Sequence, residues 1–174
     1  IYRTHEADKL KNKIEFQTNL LENFEDYSEG IKYLVKEKNE KGARVVIDNL
    51  KVEDKFKIAV ETALGEISNY LIVNNSEAAD KFIKILNDDQ KGKVTFIIRD
   101  RLYNTAMNIF QDEFPEILSH EGVYGWADRF IKCPDEYFML FKYLLDEFII
   151  VENIDIARKL SKDNFIKFIT LDGD

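Results

Sequence analysis

Residues 63–79 read A-L-G-E-I-S-N-Y-L-I-V-N-N-S-E-A-A, and the chain carries this pattern twice. Leu71-Ile72-Val73-Asn74-Asn75, followed by Ala79, returns as Ile149-Ile150-Val151-Glu152-Asn153, followed by Ala157. The offset is 78 at both ends of the match (151 minus 73, and 157 minus 79). Each copy runs from a short apolar stretch through a polar turn to an alanine that opens a helix-like pattern. Val94-Thr95-Phe96 returns as Ile169-Thr170-Leu171 at an offset of 75, and Asp48-Asn49-Leu50 is echoed by Asp128-Arg129-Phe130 at 80. The offset shrinks along the chain, as expected of a second copy with shorter loops. A repeat constrains the architecture before any single element is read, and this one predicts two similar half-domains.

The totals set bounds on what those halves belong to. At 174 residues the chain fits one domain, or one domain with an appendage. A hydrophobic share of 45% with 13% aromatics is enough for a packed core and excludes a disordered chain. The net charge of -8 gives no global attraction to nucleic acid or an anionic membrane, so any DNA contact must be a local basic patch. A single cysteine, Cys133, excludes an internal disulfide and fits a reducing compartment. No apolar run approaches the ~18 residues of a membrane span, and no signal-peptide pattern opens the chain. The chain opens without an initiator Met and is expected to be a piece of something longer.

Ala7, Leu10, Ile14, Gln17, Leu21 and Phe24 are spaced 3-4-3-4-3, an a/d seam. The spacing predicts a coiled-coil arm stub over residues 1–27, projecting as one helix. Ser28-Glu29-Gly30 ends it. Ile31, Leu34 and Val35 then make a helical turn or two, and E-K-N-E-K-G (Glu37–Gly42) is a polar turn. Arg44–Val52 reads as one or two strands. Asp54 is the expected cap of a helix from Lys55 to Leu64, stopped by Gly65. Tyr70–Val73 is a buried strand, and Ser76 the expected cap of a helix with Ala79, Phe82, Ile83 and Leu86 inward. Val94–Ile98, β-branched and continuous, reads as a strand buried on both faces. Residues 101–120 form a helical connection. The second half runs through a helix at Tyr137–Leu145, the strand Phe148–Val151, a helix at Ile156–Leu160 and the strand Phe165–Leu171. Strand and helix in alternation give an α/β (α+β) fold with some parallel pairing. The predicted domains are 28–100, a connection at 101–120, and 121–174.

A-V-E-T-A-L-G (Ala59–Gly65), the apolar strand, the Ala-led helix and G-K-V-T-F (Gly92–Phe96) together resemble the hinge domain of structural maintenance of chromosomes (SMC) proteins. G-V-Y-G-W-A-D (Gly122–Asp128), Y-L-L-D-E-F-I-I-V (Tyr143–Val151) and I-T-L-D-G-D (Ile169–Asp174) match in the second half. The resemblance covers residues 28–174, and the heptads before it sit where the family's coiled-coil arm enters the hinge. It implies two pseudo-symmetric half-domains, homodimerisation in prokaryotes, and a place in cytoplasmic, nucleoid-associated complexes that entrap DNA for chromosome condensation and segregation. It further implies accessory SMC-complex subunits and ATP-binding heads at the far ends of the arms, elsewhere on the full-length protein. Arg44 and Asp146 stand where the family usually has glycine, and the Gly-rich segment that follows T-L-D-G-D in the family lies past Asp174.

The chemistry-bearing residues give no catalytic pattern. No G-x-x-x-x-G-K-S/T is present, so this chain has no phosphate-binding loop and is expected to be no enzyme, with no cofactor. Asp172-Gly173-Asp174 lacks the further oxygen ligands of a calcium loop and reads as a turn. His5 and His120 have no His or Cys partner at metal-ligand spacing. Cys133 has no base near it in sequence and reads as packing. Gly122, Gly125 and Gly173 permit close backbone approach and are the candidate dimer-interface positions. Lys91, Lys93, Arg99 and Arg101 cluster around one strand and are the candidate weak DNA contacts, with Lys32, Lys36, Lys38, Lys41 and Arg44 around a turn. The reading is a dimerisation module that joins two arms and helps gate DNA, with no membrane partner. The rival is an α/β regulatory or enzyme domain holding a small ligand at strand ends. A pocket of converging, perturbed titratable groups is what separates the two.

Overall fold

The structure, a computed structural model, describes residues 27–38, 42–102, 115–161 and 166–174. The expected arm stub lies outside them except for Tyr27, as do His5, Lys41 and the middle of the 101–120 connection. In chain order the main elements are β1 (Arg44–Val45), β2 (Lys51–Val52), α1 (Lys57–Leu64), β3 (Leu71–Val73), α2 (Ser76–Asp88) and β4 (Phe96–Ile98). The second copy continues with β5 (Val123–Trp126), β6 (Ile131–Lys132), α3 (Phe138–Leu145), β7 (Phe148–Val151), α4 (Ile154–Leu160) and β8 (Lys167–Thr170). The fold is mixed α/β, as the alternation predicts.

The repeated motif has a local physical cause in each copy. Leu71, Ile72 and Val73 are buried, as are Ile149, Ile150 and Val151. Asn75 and Asn153 then cap the following helices: the Asn75 side chain accepts from the Ala78 N–H at 2.9 Å, and that of Asn153 from Ile156 at 3.2 Å. An asparagine at this position satisfies a backbone donor that the helix cannot. Ala79 and Ala157, four residues on, are buried one turn into each helix. Sequence alone put the first cap on Ser76, but Ser76 is already the first helical residue. Asp54 likewise caps nothing. It opens a 3-10 turn, Asp54–Phe56, and α1 begins after it with no side-chain cap.

By contact the chain divides into two units, one drawn from Ile1–Asp48 and Asn69–Ile97, the other from Asn49–Ser68 and Ile98–Asp174. In the first, three strands stand in the order β1-β3-β4, with β1 antiparallel to β3 through Arg44↔Ile72 and Val45↔Leu71. The helical turn Glu29–Lys32 continues as a π turn, Tyr33–Glu37. Ala79, Phe82 and Leu86 of α2 are buried, whereas Ile83, expected inward, is 43% exposed. The last strand is not buried on both faces either. Phe96, Ile97 and Ile98 are all half-buried, as suits an edge strand, and Val94 and Thr95 precede it.

The second unit has the order β5-β7-β8, with β5 antiparallel and β8 parallel to β7. The expected parallel pairing is here, through Ile149↔Phe168 and Ile150↔Ile169. Leu171 lies past the end of β8, so the Val94–Phe96 match to Ile169–Leu171 is out of register with the strands themselves. A core of Ile117, Trp126, Ile149, Val151 and Ala157 fills one face of this sheet.

This unit also takes in β2 and α1, which come from the first copy. β2 pairs antiparallel with β6 through Lys51↔Lys132 and Val52↔Ile131. α1 packs on α3. These helices are repeat equivalents at an offset of 81 (138 minus 57), as are Lys51 and Lys132 (132 minus 51). The offset therefore rises before it falls to 78, against the steady shrinkage read from the sequence. One extra residue in the 3-10 turn Ala127–Phe130, against Ile47–Asn49, accounts for the rise. The fall comes from the 3-10 turn Gly65–Asn69, where the second copy passes from α3 to β7 through Asp146 and Glu147 alone.

Candidate dimer and nucleic-acid interface

The three candidate interface glycines each meet a demand inside the second unit. The register between β5 and β7 shifts between Val123 and Gly125, so Tyr124 is the extra residue of a β-bulge. Gly125 follows it at φ +132°, a backbone state that side chains rarely tolerate. Gly122 has φ +83°, and its carbonyl accepts from the Glu152 N–H at 2.8 Å. A Cβ added there would overlap Cδ1 of Ile156. Gly173 has φ +89° and lies against α1, where a Cβ would stand 2.8 Å from Thr62 Oγ1 and 3.0 Å from Ile58 Cγ2. Its turn is closed by Thr170, whose hydroxyl accepts from the Asp174 N–H at 3.0 Å.

Gly122→Ala is expected to lower stability by about 2 kcal/mol, from positive-φ strain together with displacement of Ile156. Chemical denaturation checks this. Ile156→Ala in the same chain should make the Gly122→Ala step cheaper, because it removes the overlap and leaves only the strain. Equal costs with and without Ile156 would refute the packing account.

The four candidate DNA contacts divide between the units, Lys91 and Lys93 in the first, Arg99 and Arg101 in the second. Lys91 forms an ion pair with Glu29 at 3.3 Å, and its ammonium lies 5.2 Å from the Tyr33 ring centroid. Lys38 shares that ring at 5.3 Å and pairs with Asp89 at 3.3 Å. Tyr33 donates its hydroxyl to Asp89 at 2.6 Å. The phenol's hydrogen bond, with Lys38 beside it, holds the Asp89 carboxyl below the usual carboxylate range, and Tyr33 followed by Asp89 raises the Lys38 ammonium. Arg99 reaches Glu136 at 2.6 Å. Lys93 and Arg101 are exposed. Lys91 and Arg99 thus already face carboxylates.

Three further groups are shifted, each within its own unit. Asp48, hydrogen-bonded by Tyr27 at 2.8 Å, is raised by burial in the first unit. Cys133 is half-buried in the second, its thiol pushed up by burial and by Asp135, which keeps it protonated. Asp146 follows α3, where a carboxylate meets the negative end of the helix. Burial raises it first, then Glu147 and Asp128. A raised carboxyl holds its proton more tightly in the folded chain. The contribution is favourable below the unfolded value of about 4 and is lost as pH climbs through the folded one. Asp146→Asn should therefore stabilise the chain by about 0.5 kcal/mol at pH 7 and give no gain near pH 3. Thermal melts at both pH values decide it, and a gain that persists at pH 3 would refute the charge account.

Among the described residues no group of three or more His, Cys, Asp or Glu is placed to hold a metal ion, and no helix is long and apolar enough to cross a membrane. What the arrangement offers is two similar three-stranded sheets, each with two edge strands, and a pair of repeat-related helices. A family model described as SMC proteins Flexible Hinge Domain matches residues 39–161. The chain belongs to the SMC hinge family. A chromosome partition protein Smc of Methanocaldococcus jannaschii is 31% identical over 131 residues, which cover 74% of this chain and 10% of that protein. The hinge chain thus spans about a tenth of that relative's length. An asymmetric dimer of the Geobacillus stearothermophilus SMC hinge domain shares the fold at a TM-score of 0.78 and 24% identity, covering 98% of this chain and 70% of that one. The Pyrococcus furiosus SMC hinge domain gives 0.66 at 18%, covering 93% and 82%.

Proposed function

We propose that this hinge chain joins two coiled-coil arms by homodimerisation and so helps a chromosome-organising protein open or close around DNA. The observation that carries the reading is the family match across both copies of the repeat. The sheets support it, because β1, β4, β5 and β8 are edge strands that another chain can extend. Two pseudo-equivalent halves suit a two-fold partner, since each contact is then made twice and the ring closes. The Geobacillus stearothermophilus hinge that shares the fold was solved as a dimer. DNA is the partner of the whole protein, and its contact with this acidic chain is weak and salt-sensitive. The ATP-binding heads, the accessory subunits and a nucleoid location belong to the longer protein.

Sedimentation velocity tests the dimer. A chain extended past Asp174 should sediment as a dimer at micromolar concentration, and the 174-residue chain should associate more weakly. A monomeric extended chain would overturn the reading. A tight dimer from the shorter chain would place the interface on residues already present.

A further inference from the structure

We propose that the helix running from Glu29 to Glu37 in the first unit has two registers, and that the Asp89 carboxylate, by holding Tyr33 and Lys38 together, locks it in the π one. Tyr33–Glu37 is a π turn, in which the Lys38 N–H donates to the Tyr33 carbonyl, five residues back, at 3.0 Å. The turn before it, Glu29–Lys32, is α-helical, with the Lys32 N–H on the Ser28 carbonyl at 3.0 Å. π turns are rare, and one inside an α-helix holds back a residue that the α register would pass on. Contacts outside the backbone must then favour it here.

Asp89 supplies them. It follows the last residue of α2, where a carboxylate meets the negative end of the helix. Tyr33 donates its hydroxyl to it at 2.6 Å, and the Lys38 ammonium pairs with it at 3.3 Å. In an α-helix of 3.6 residues per turn, two residues five apart point about 140° away from each other. They lie on different sides of the helix, and one carboxylate reaches only one of them. The five-residue hydrogen bond of a π turn brings the second over the first. The Lys38 ammonium, 5.3 Å from the Tyr33 ring centroid, depends on the same register.

The alternative register is defined by the same residues. Leu34 is fully buried and Lys38 is exposed. In the α register Lys38 stands one turn after Leu34 on the buried face, and its N–H moves to the Leu34 carbonyl. A cation is unfavourable there. The charge on Lys38 therefore opposes the α register as well as closing the π one. The two ends of the helix are not equally able to move. A Cβ on Gly30 would stand 2.7 Å from Val94 Cγ2 and 3.1 Å from the Lys91 carbonyl oxygen, so the first turn is seated against that segment. Release falls on the end that leads to β1, which turns by about 100° and advances by about 1.5 Å, one residue of α-helix. The latch thereby governs how the chain is delivered to an edge strand of the sheet.

The test is NMR of the isotope-labelled chain, reading the coupling across the hydrogen bond of the Lys38 amide. In the unaltered chain it should run to the Tyr33 carbonyl. Lys38→Met removes the cation and offers the α register an apolar side chain, so the coupling should move to the Leu34 carbonyl. Asp89→Ala removes the anchor and should move it the same way, whereas Lys38→Arg should leave it on Tyr33. A Leu34 coupling in the unaltered chain would overturn the proposal. So would a coupling that leaves Tyr33 in Lys38→Arg, or one that stays there in Lys38→Met or Asp89→Ala. The coupling reads the same in a monomer and in a dimer, so its failure is distinct from failure of the hinge reading.

Discussion

A fragment of residues 98–174 alone is expected to be unfolded, and to gain structure when residues 49–68 are supplied. The second unit is completed by a stretch that lies before the first unit ends. From that stretch β2 supplies the strand partner of β6 among the described residues, and α1 packs on both α3 and β8. Phe56, Ala59, Val60 and Leu64 are all buried. Burying side chains the size of Phe, Val and Leu is worth about 1.5–3 kcal/mol each, and their sum is comparable to the whole stability of an ordinary domain. The α3 helix on which α1 packs carries the fully buried Phe141 and Leu145. Circular dichroism and amide NMR of the fragment, with and without a 49–68 peptide, decide the matter. A fragment folded without the peptide would show that β2 and α1 only decorate the unit. The control is the same peptide carrying Val60→Asp, which should fail to restore structure.

The second large effect is at Trp126. It is 1% exposed and packed with Ile117, Ile149, Val151 and Ala157. Trp126→Ala should lower stability by about 3–5 kcal/mol, as for a large aromatic side chain removed from a close-packed core. In a chain of this size that lowers the melting temperature by on the order of 10 °C. Trp126→Phe should cost much less, about 1–2 kcal/mol. The Trp126 Nε1–H is buried and finds no acceptor among the described residues. Phenylalanine keeps most of the apolar contact and removes that donor, which offsets part of the lost area. If Trp126→Phe proves as damaging as Trp126→Ala, the indole nitrogen has a role the packing does not explain.

The sequence shows the repeat because its cause is local. An apolar strand, an Asn cap and a buried alanine lie within the nine residues from Leu71 to Ala79, and each leaves a readable mark. The mixed α/β class and the parallel pair follow from the same alternation. The errors lie where local signals compete. Ser76 and Asn75 are both good capping residues, and only the backbone decides which one closes the turn. Val94 and Thr95 carry strong β propensity, but the strand that forms beside β3 begins at Phe96. Propensity marks a region, whereas pairing sets its ends. The span Arg44–Val52 reads as one or two strands, and β1 and β2 lie in it, but the pairing of β2 with β6, a two-stranded ribbon, is not legible. Two strands of two residues each have no periodicity, and their partnership spans 81 positions. Of the four basic residues picked by sequence clustering, Lys91 and Arg99 face acids distant in the chain, Glu29 and Glu136. Linear spacing carries no trace of such pairings. At the three candidate glycines φ is positive, and an added Cβ would crowd a neighbour at Gly122 and Gly173 but not at Gly125.

The ribbon between the two copies also bears on how such a gene can change. A tandem duplication ordinarily leaves two modules that recombination can exchange one at a time. Here the first copy's β2 and α1 are built against the second copy's β6 and α3. A crossover placed between the repeats would bring together two surfaces that had never been selected for each other. The two halves are therefore inherited as one unit, and a substitution in α1 is judged by selection through its fit to α3.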